Sequence, residues 1–384
     1  MATENNNKNL NVPNLRFPEF SGEWKKTYIG ECFSKVENGL TYDTNNTSGV
    51  PVTRIETISD KSINYDRVGY ASVDDKISKY RMQYGDILFS HINSLKHIGK
   101  TAFYNATQPL YHGMNLLLLR SKKSLDSKFL YYTLNTYRFL HRCQVLANQA
   151  VNQASINTKE LKSVNISVPQ MLEQRKIAEF ISLLDERIDT QIKIIEKLES
   201  LIKGLYERLF NIDSAAYIQL GNVAKIQKGQ QINGEELSEI GSYYVMNGGV
   251  VPSGYLEDFN TPANTISISE GGNSCGYVQY NGVPFWSGGH CYTLIEPINS
   301  FNYKYLFHYL KFKEQSIMAL RIGSGLPNIQ KKDLERFPIL NVSKEEQDKM
   351  ACIFDDILDR IICERQIALK YEEQKKYLLS NLFI

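Results

Sequence analysis

The chain lacks any apolar run close to the 18 or more residues that cross a bilayer; its strongest run is Leu116 to Leu119, so no membrane contact is expected. Met1–Leu10 is polar and Asn-rich, without the apolar centre of a secretory signal, and residues 1–13 read as a disordered lead. The six cysteines form no Cys-x-x-Cys and no His/Cys zinc spacing. They read as reduced thiols of a cytoplasmic protein, with no disulfide and no structural metal expected. Catalytic signatures are missing as well. There is no G-x-G-x-x-G after a strand, no Walker A lysine, no H-E-x-x-H and no G-x-S-x-G. No Pro-Pro pair occurs, which excludes the Asn/Asp-Pro-Pro-aromatic tetrapeptide of amino-methyltransferases. The paired carboxylates Asp74-Asp75 and Asp355-Asp356 sit among charged neighbours and read as solvated faces rather than as acid–base groups.

What is present is a duplication. The 384 residues, 42% hydrophobic and 22% charged, suit two or three globular domains. Residues 156–210 align without a gap on residues 173 positions further on. Identical pairs include Ile156/Ile329, Leu161/Leu334, Glu173/Glu346, Gln174/Gln347, Ala178/Ala351, Arg187/Arg360, Leu205/Leu378 and Phe210/Phe383. Each copy ends in a heptad seam. The first runs Ile177, Ile181, Leu184, Ile188, Gln191, Ile195, Leu198, Ile202, Leu205, Leu209; the second runs Met350, Phe354, Ile357, Ile361, Glu364, Ala368, Tyr371, Lys375, Leu378, Leu382. Two helices of roughly 55–60 Å follow, expected to pack antiparallel as a coiled coil with Gln191 and Glu364 as matched polar seam positions.

A strand-rich domain precedes each helix. The expected architecture is α+β: domain 14–155, helical region 156–214, domain 215–328 and helical region 329–384. Echoes of the repeat persist in the domains. Ile29-Gly30 and Gly39 match Leu220-Gly221 and Gly229, and the strand Ile87–Ser90 matches Ile266–Ser269. The segments Lys128–Leu134 and Lys304–Leu310 match as short helices. Both strands enter a polar loop that closes at a glycine, Gly99 or Gly276. Candidate nucleic-acid ligands in the first domain are Ser90, His91, Asn93, Ser94, Lys96, His97 and Lys100. In the second they are Lys228, Gln230, Gln231, Asn247, Glu270, Asn273, Ser274 and Arg321. Hydroxyls, amides and cations donate to phosphates and base edges; a carboxylate accepts from a cytosine amino group. Charge supports this unevenly. The net total is +2, but residues 79–142 hold ten basic side chains against Asp86 and Asp126, whereas 216–335 hold eight basic against ten acidic.

The boundary motifs resemble the DNA-specificity subunits of type I restriction–modification systems. The carriers are Ile166-Ser167-Val168-Pro169 with Glu173-Gln174-Arg175-Lys176-Ile177-Ala178, and Phe337-Pro338-Ile339-Leu340 with Glu346-Gln347. Others are the opening Phe17-Pro18-Glu19-Phe20, the Gly85-Asp86-Ile87-Leu88 turn and the run Gly323-Ser324-Gly325-Leu326-Pro327-Asn328-Ile329; Asn152–Ile156 departs from that glycine-rich junction. The resemblance implies a non-catalytic subunit that reads a split target in double-stranded DNA, one half per domain. It implies recruitment of two methyltransferase subunits and two restriction/translocase subunits, with S-adenosylmethionine, ATP and Mg2+ bound on those partners and no cofactor here. Two other readings fit the same residues: the recognition portion of a fused restriction–methylation enzyme, and a coiled-coil glycan-binding adhesin or phage fibre domain. A methyl-transfer assay and the salt dependence of DNA retention separate them.

Overall fold

A computed structural model describes residues 11–58, 62–73, 77–105, 107–150, 153–212, 216–323, 325 and 327–384. Of the expected lead 1–13, Met1–Leu10 lie outside the described residues, as do the pair Asp74-Asp75, Asn152, and Ser324 and Leu326 of the second junction; residues 11–13 are ordered instead, Pro13 being buried and the Asn11 carbonyl accepting from the Trp24 N–H at 2.8 Å. The chain forms two compact units, residues 1–190 with 368–384, and residues 191–367.

Unit 1 is built on a four-stranded antiparallel sheet of β1 (Phe33–Asn38), β2 (Ile87–Phe89), β3 (Thr101–Phe103) and β4 (Leu117–Ser121), in the order β1-β4-β2-β3. Successive strand residues face opposite sides. Ile87, Phe89, Leu117 and Leu119 enter the main core with Trp24, Ile29 and Phe129, while Leu88 and Leu118 pack on the other face with Met82, Ala102, Tyr104 and Leu110. A second pairing, Lys25–Tyr28 on Asn165–Val168, carries the chain toward the helical region.

Helix α1 (Ser127–Leu134) lies under the sheet, and Asp126 caps it by accepting from the Phe129 N–H at 2.8 Å. The long helix α2 (Met171–Phe210) follows. Its Gln174 explains one identity of the repeat. The buried amide accepts from the Asp126 backbone N–H at 2.9 Å and donates to the Pro169 carbonyl at 2.8 Å, tying the cap of α1 to the start of α2.

Unit 2 repeats this plan. Strands β5 (Lys225–Lys228), β6 (Thr265–Ser269), β7 (Val278–Asn281) and β8 (Cys291–Ile295) take the order β5-β8-β6-β7. Helix α3 (Tyr303–Phe312) is capped by Asn302, which accepts from the Tyr305 N–H at 2.9 Å. Gln347, at the start of α4 (Lys344–Asn381), accepts from the Asn302 N–H at 2.7 Å and donates to the Val342 carbonyl at 2.9 Å. The two glutamines therefore make the same pair of bonds.

The seam positions pack as the heptads require, each being buried or half-buried. In unit 1, Ile177, Ile181 and Leu184 of α2 share a core with Leu378 and Leu382 of α4, and Asp185 pairs with Lys375. In unit 2, Gln191 donates to Glu364, and the Tyr206 ring lies 4.6 Å from that of Phe354. Numbers rise along α2 as they fall along α4, so the pair is antiparallel, with the two polar seam residues in direct contact. Arg360 pairs with the remaining oxygen of Glu364.

Asp355 departs from the solvated face expected of it. It accepts from buried His308 Nε2 at 2.9 Å, and Lys304 lies 3.5 Å away. With Nε2–H directed at the carboxylate, His308 Nδ1 accepts from the Tyr206 hydroxyl at 2.8 Å. Three helices are joined through this chain, and burial holds the imidazole below its ordinary pKa against the opposing pull of Asp355.

Candidate nucleic-acid interface

The matched polar loops leave the same edge of each central sheet and are held by the same backbone bonds. In unit 1, Ser90 N–H donates to the Lys100 carbonyl at 2.8 Å and Gly99 N–H to the Ser90 carbonyl at 2.9 Å. In unit 2, Ser269 N–H donates to the Tyr277 carbonyl at 2.9 Å and Gly276 N–H to the Ser269 carbonyl at 2.8 Å. The closing glycines have φ of +84° and +94°, the left-handed region that glycine enters without strain. The residue after each serine, His91 or Glu270, accepts through its carbonyl from the junction isoleucine, Ile156 or Ile329, at 2.9 Å in both units. The first junction thus reaches the second's geometry without its glycines.

The side chains diverge from this shared frame. In unit 1, Ser90 and His91 are buried beneath the loop. Burial, together with neighbouring His112, pushes His91 down to about 4, and its Nδ1 has no hydrogen-bond partner among the described residues. Asn93 is engaged locally: its amide donates to Ser90 Oγ at 3.2 Å and its oxygen accepts from the Ser94 N–H at 2.8 Å. Ser94 Oγ lies 3.0 Å from His97 Nδ1. Ser94 and Lys96 are exposed at the tip, and His97 and Lys100 are half-buried on its flank.

Unit 2 gathers residues from four stretches around one buried carboxylate. Glu270 accepts from Lys228 Nζ at 2.5 Å and from the Tyr292 hydroxyl at 3.2 Å, and His290 Nδ1 lies 3.7 Å from its other oxygen. Asn247 Oδ1 accepts from the His290 N–H at 3.0 Å, and Gln231 lies against Gly289. Lys228 and His290 keep more than half of their side-chain surface exposed, so two donors stand over a carboxylate that is not itself presented. Gln230 is exposed and fixed by its N–H to the Ser287 carbonyl at 2.9 Å. Asn273 is exposed on the adjoining turn with Ser274 half-buried beside it, and exposed Arg321 precedes the short pairing of Ile322 with Asn328.

The sequence reading missed His290 and Tyr292. Gly288-Gly289-His290 was the available signal, a histidine on a glycine turn, but nothing local indicates that it meets Lys228 and Glu270.

One sheet-and-helix module built twice, each copy resting on part of both long helices and ending in a polar loop of its own chemistry, defines a duplicated recognition scaffold. The profile of the type I restriction modification DNA specificity domain matches residues 21–200 and 213–372, and the chain belongs to that family. It is 30% identical to a protein of Methanocaldococcus jannaschii named as the MjaX type I restriction enzyme specificity subunit, over 98% of this chain and 96% of that one. A type I specificity subunit of Mycoplasma pneumoniae is 37% identical over 122 residues, 31% of this chain and 32% of its own. Among solved structures, the type I restriction–modification S subunit from M. genitalium matches in fold, with a TM-score of 0.71 and 21% identity, covering 97% of this chain and 99% of that one. No helix among the described residues is long and apolar enough to cross a membrane.

Proposed function

We propose that this chain is the sequence-reading subunit of a type I restriction–modification complex and that each unit reads one half of a split DNA target. The observation that carries this is the pair of equivalent loops. They share a backbone frame, yet one exposes Ser94 and Lys96 and the other exposes Lys228 and His290 over Glu270. A common frame with different side chains is what two half-sites of different sequence require. The methyl transfer and the DNA cleavage belong to partner subunits, two of each kind, which hold S-adenosylmethionine, ATP and Mg2+. This chain binds none of them and works in the cytoplasm.

The test is a loop replacement in the assembled complex. Exchanging Ser90–Lys100 for the equivalent loop of another specificity subunit, then sequencing the methylated bases of a host, should change one half of the modified motif. A change in both halves, or none, overturns the assignment. Lys96→Ala with Lys100→Ala should weaken target and scrambled duplexes alike, flattening the slope of log affinity against log salt by ~1–2 units without altering the motif.

A further inference from the structure

Unit 1 contains a cleft of about 740 Å³ whose described walls include no residue of the polar loop. Lys35 of β1, Arg120 of β4, Lys79, Arg81, Tyr84 and Tyr104 are among its walls, and among the described residues no carboxylate lines it. Lys35 and Arg120 are register partners across the sheet, so two of the cations stand on rigid strands. Arg120 forks onto buried Asp86 with two bonds of 2.7 Å, which fixes the guanidinium and saturates that carboxylate. Lys35 meets Glu37 at 3.0 Å in an exposed pair of the weak, salt-screened kind.

Among the described residues, no carboxylate lies within ion-pair distance of Lys79 or Arg81, and Lys79 Nζ rests 4.7 Å over the Tyr80 ring. A cleft of about 300 Å³ in unit 2 shows the contrast. Its walls carry two carboxylates, Glu296 and Glu335, beside its two lysines, 3.2 Å from Lys225 and 3.6 Å from Lys331, so the lining charges cancel.

Unmatched cations around a cleft call for an anion, and this volume exceeds what a single phosphate fills. It suits a stretch of sugar–phosphate chain. We propose that this cleft grips backbone phosphates of the duplex beside the half-site read by unit 1, and that the neutralised cleft of unit 2 is not such an anchor. Affinity is then supplied unequally by the two units. This rests on the DNA-reading assignment above.

The experiment uses the full-length chain assembled with its modification partners. Lys79→Gln with Arg81→Gln, both exposed positions, is compared with wild type and with Lys225→Gln plus Lys331→Gln, circular dichroism confirming the fold. Dissociation constants are measured from low to moderate salt on target and scrambled duplexes. The Lys79/Arg81 variant should flatten the log–log slope by ~1–2 units on both duplexes and leave the methylated motif unchanged. The Lys225/Lys331 variant should keep the wild-type slope. Neutral methylphosphonates scanned along the duplex should weaken wild type at one or two backbone positions flanking one half-site, and should not weaken the Lys79/Arg81 variant further. A wild-type slope in that variant overturns the proposal while leaving DNA reading intact. Failure of wild type to bind any duplex overturns the DNA reading as well. Calorimetric binding of adenosine monophosphate by wild type, lost in the variant with its salt slope intact, would assign the cleft to a free nucleotide and overturn the backbone assignment.

Discussion

The two central sheets have the same order, but only one face of each is alike. Toward the helices, Ile87 and Phe89 in unit 1 and Ile266 and Ile268 in unit 2 fill cores that include α2 and α4 residues. On the opposite face unit 1 packs Leu88, Leu118 and Ala102, whereas unit 2 places buried Ser267 and Thr293, with Asn281 donating to Ser267 Oγ at 2.9 Å and to the Thr265 carbonyl at 2.8 Å. The helix-facing side must fit a duplicated support and has kept its chemistry. The far side supports segments unique to each unit, and there apolar and hydrogen-bonded solutions serve equally well. Recognition can therefore diverge without disturbing the docking of either unit on its helices.

Four substitutions probe how far the likeness extends, beginning with the largest effect. Glu173 and Glu346 are equivalent in the repeat, but Glu173 is buried, accepting from Arg16 twice at 2.8 Å and from Trp24 Nε1 at 3.2 Å. Arg16→Ala strands a buried carboxylate and should cost unit 1 about 3 kcal/mol. Glu346 is exposed and its carboxylate accepts from Ser343, so Ser343→Ala should cost unit 2 about 1 kcal/mol. Hydrogen exchange resolved by unit should show each loss confined to its own unit, and equal losses would break the contrast. Gln174→Ala and Gln347→Ala should instead cost alike, about 2 kcal/mol each, because each leaves a cap N–H and a carbonyl unpaired. Unequal melting shifts would show that the two junctions are not equivalent.

Acid should separate the units again. His91 titrates near 4 when folded and near 6.5 when unfolded. Between those values the unfolded chain binds a proton that the folded one refuses, so stability is complete above about pH 6.5 and declines toward pH 4. The decline should be about 1–3 kcal/mol in unit 1. In unit 2, Asp355 opposes the shift of His308, and the decline should be smaller. Denaturant melts at pH 7.5 and 5 should show His91→Gln reducing the acid loss of unit 1 alone. Gln191→Leu with Glu364→Leu should act in the opposite direction and raise unit 2 by about 1 kcal/mol, since apolar replacement of a buried polar pair is often stabilising. A lower melting temperature would mean that the pair contributes net stability as well as register.

The helices, their sense and the meeting of Gln191 with Glu364 were legible because a heptad seam and a duplicate state their own geometry. The matched strands and the turn glycines Gly99 and Gly276 were legible for the same reason: each is local, and the second copy repeats the first. What could not be read were pairings set by long-range folding. Nothing near Asp355 indicates that His308 would reach it, nothing near Glu270 indicates His290, and the polarity of Ser90 and His91 gives no hint that the loop folds over them. Identity within the repeat does not state role: at Glu173 and Glu346 one residue type serves a buried ion pair and an exposed cap.

The division of each long helix between the units has a consequence for the order of synthesis. Unit 2 is a continuous stretch, residues 191–367, whereas unit 1 is closed by residues 368–384. The unit begun first on the ribosome is completed last, after the whole of its counterpart has emerged. Until then Ile177, Ile181 and Leu184 lack the Leu378 and Leu382 that share their core. A chain truncated after residue 367 and released from the ribosome should hold a complete second unit and an unfinished first one.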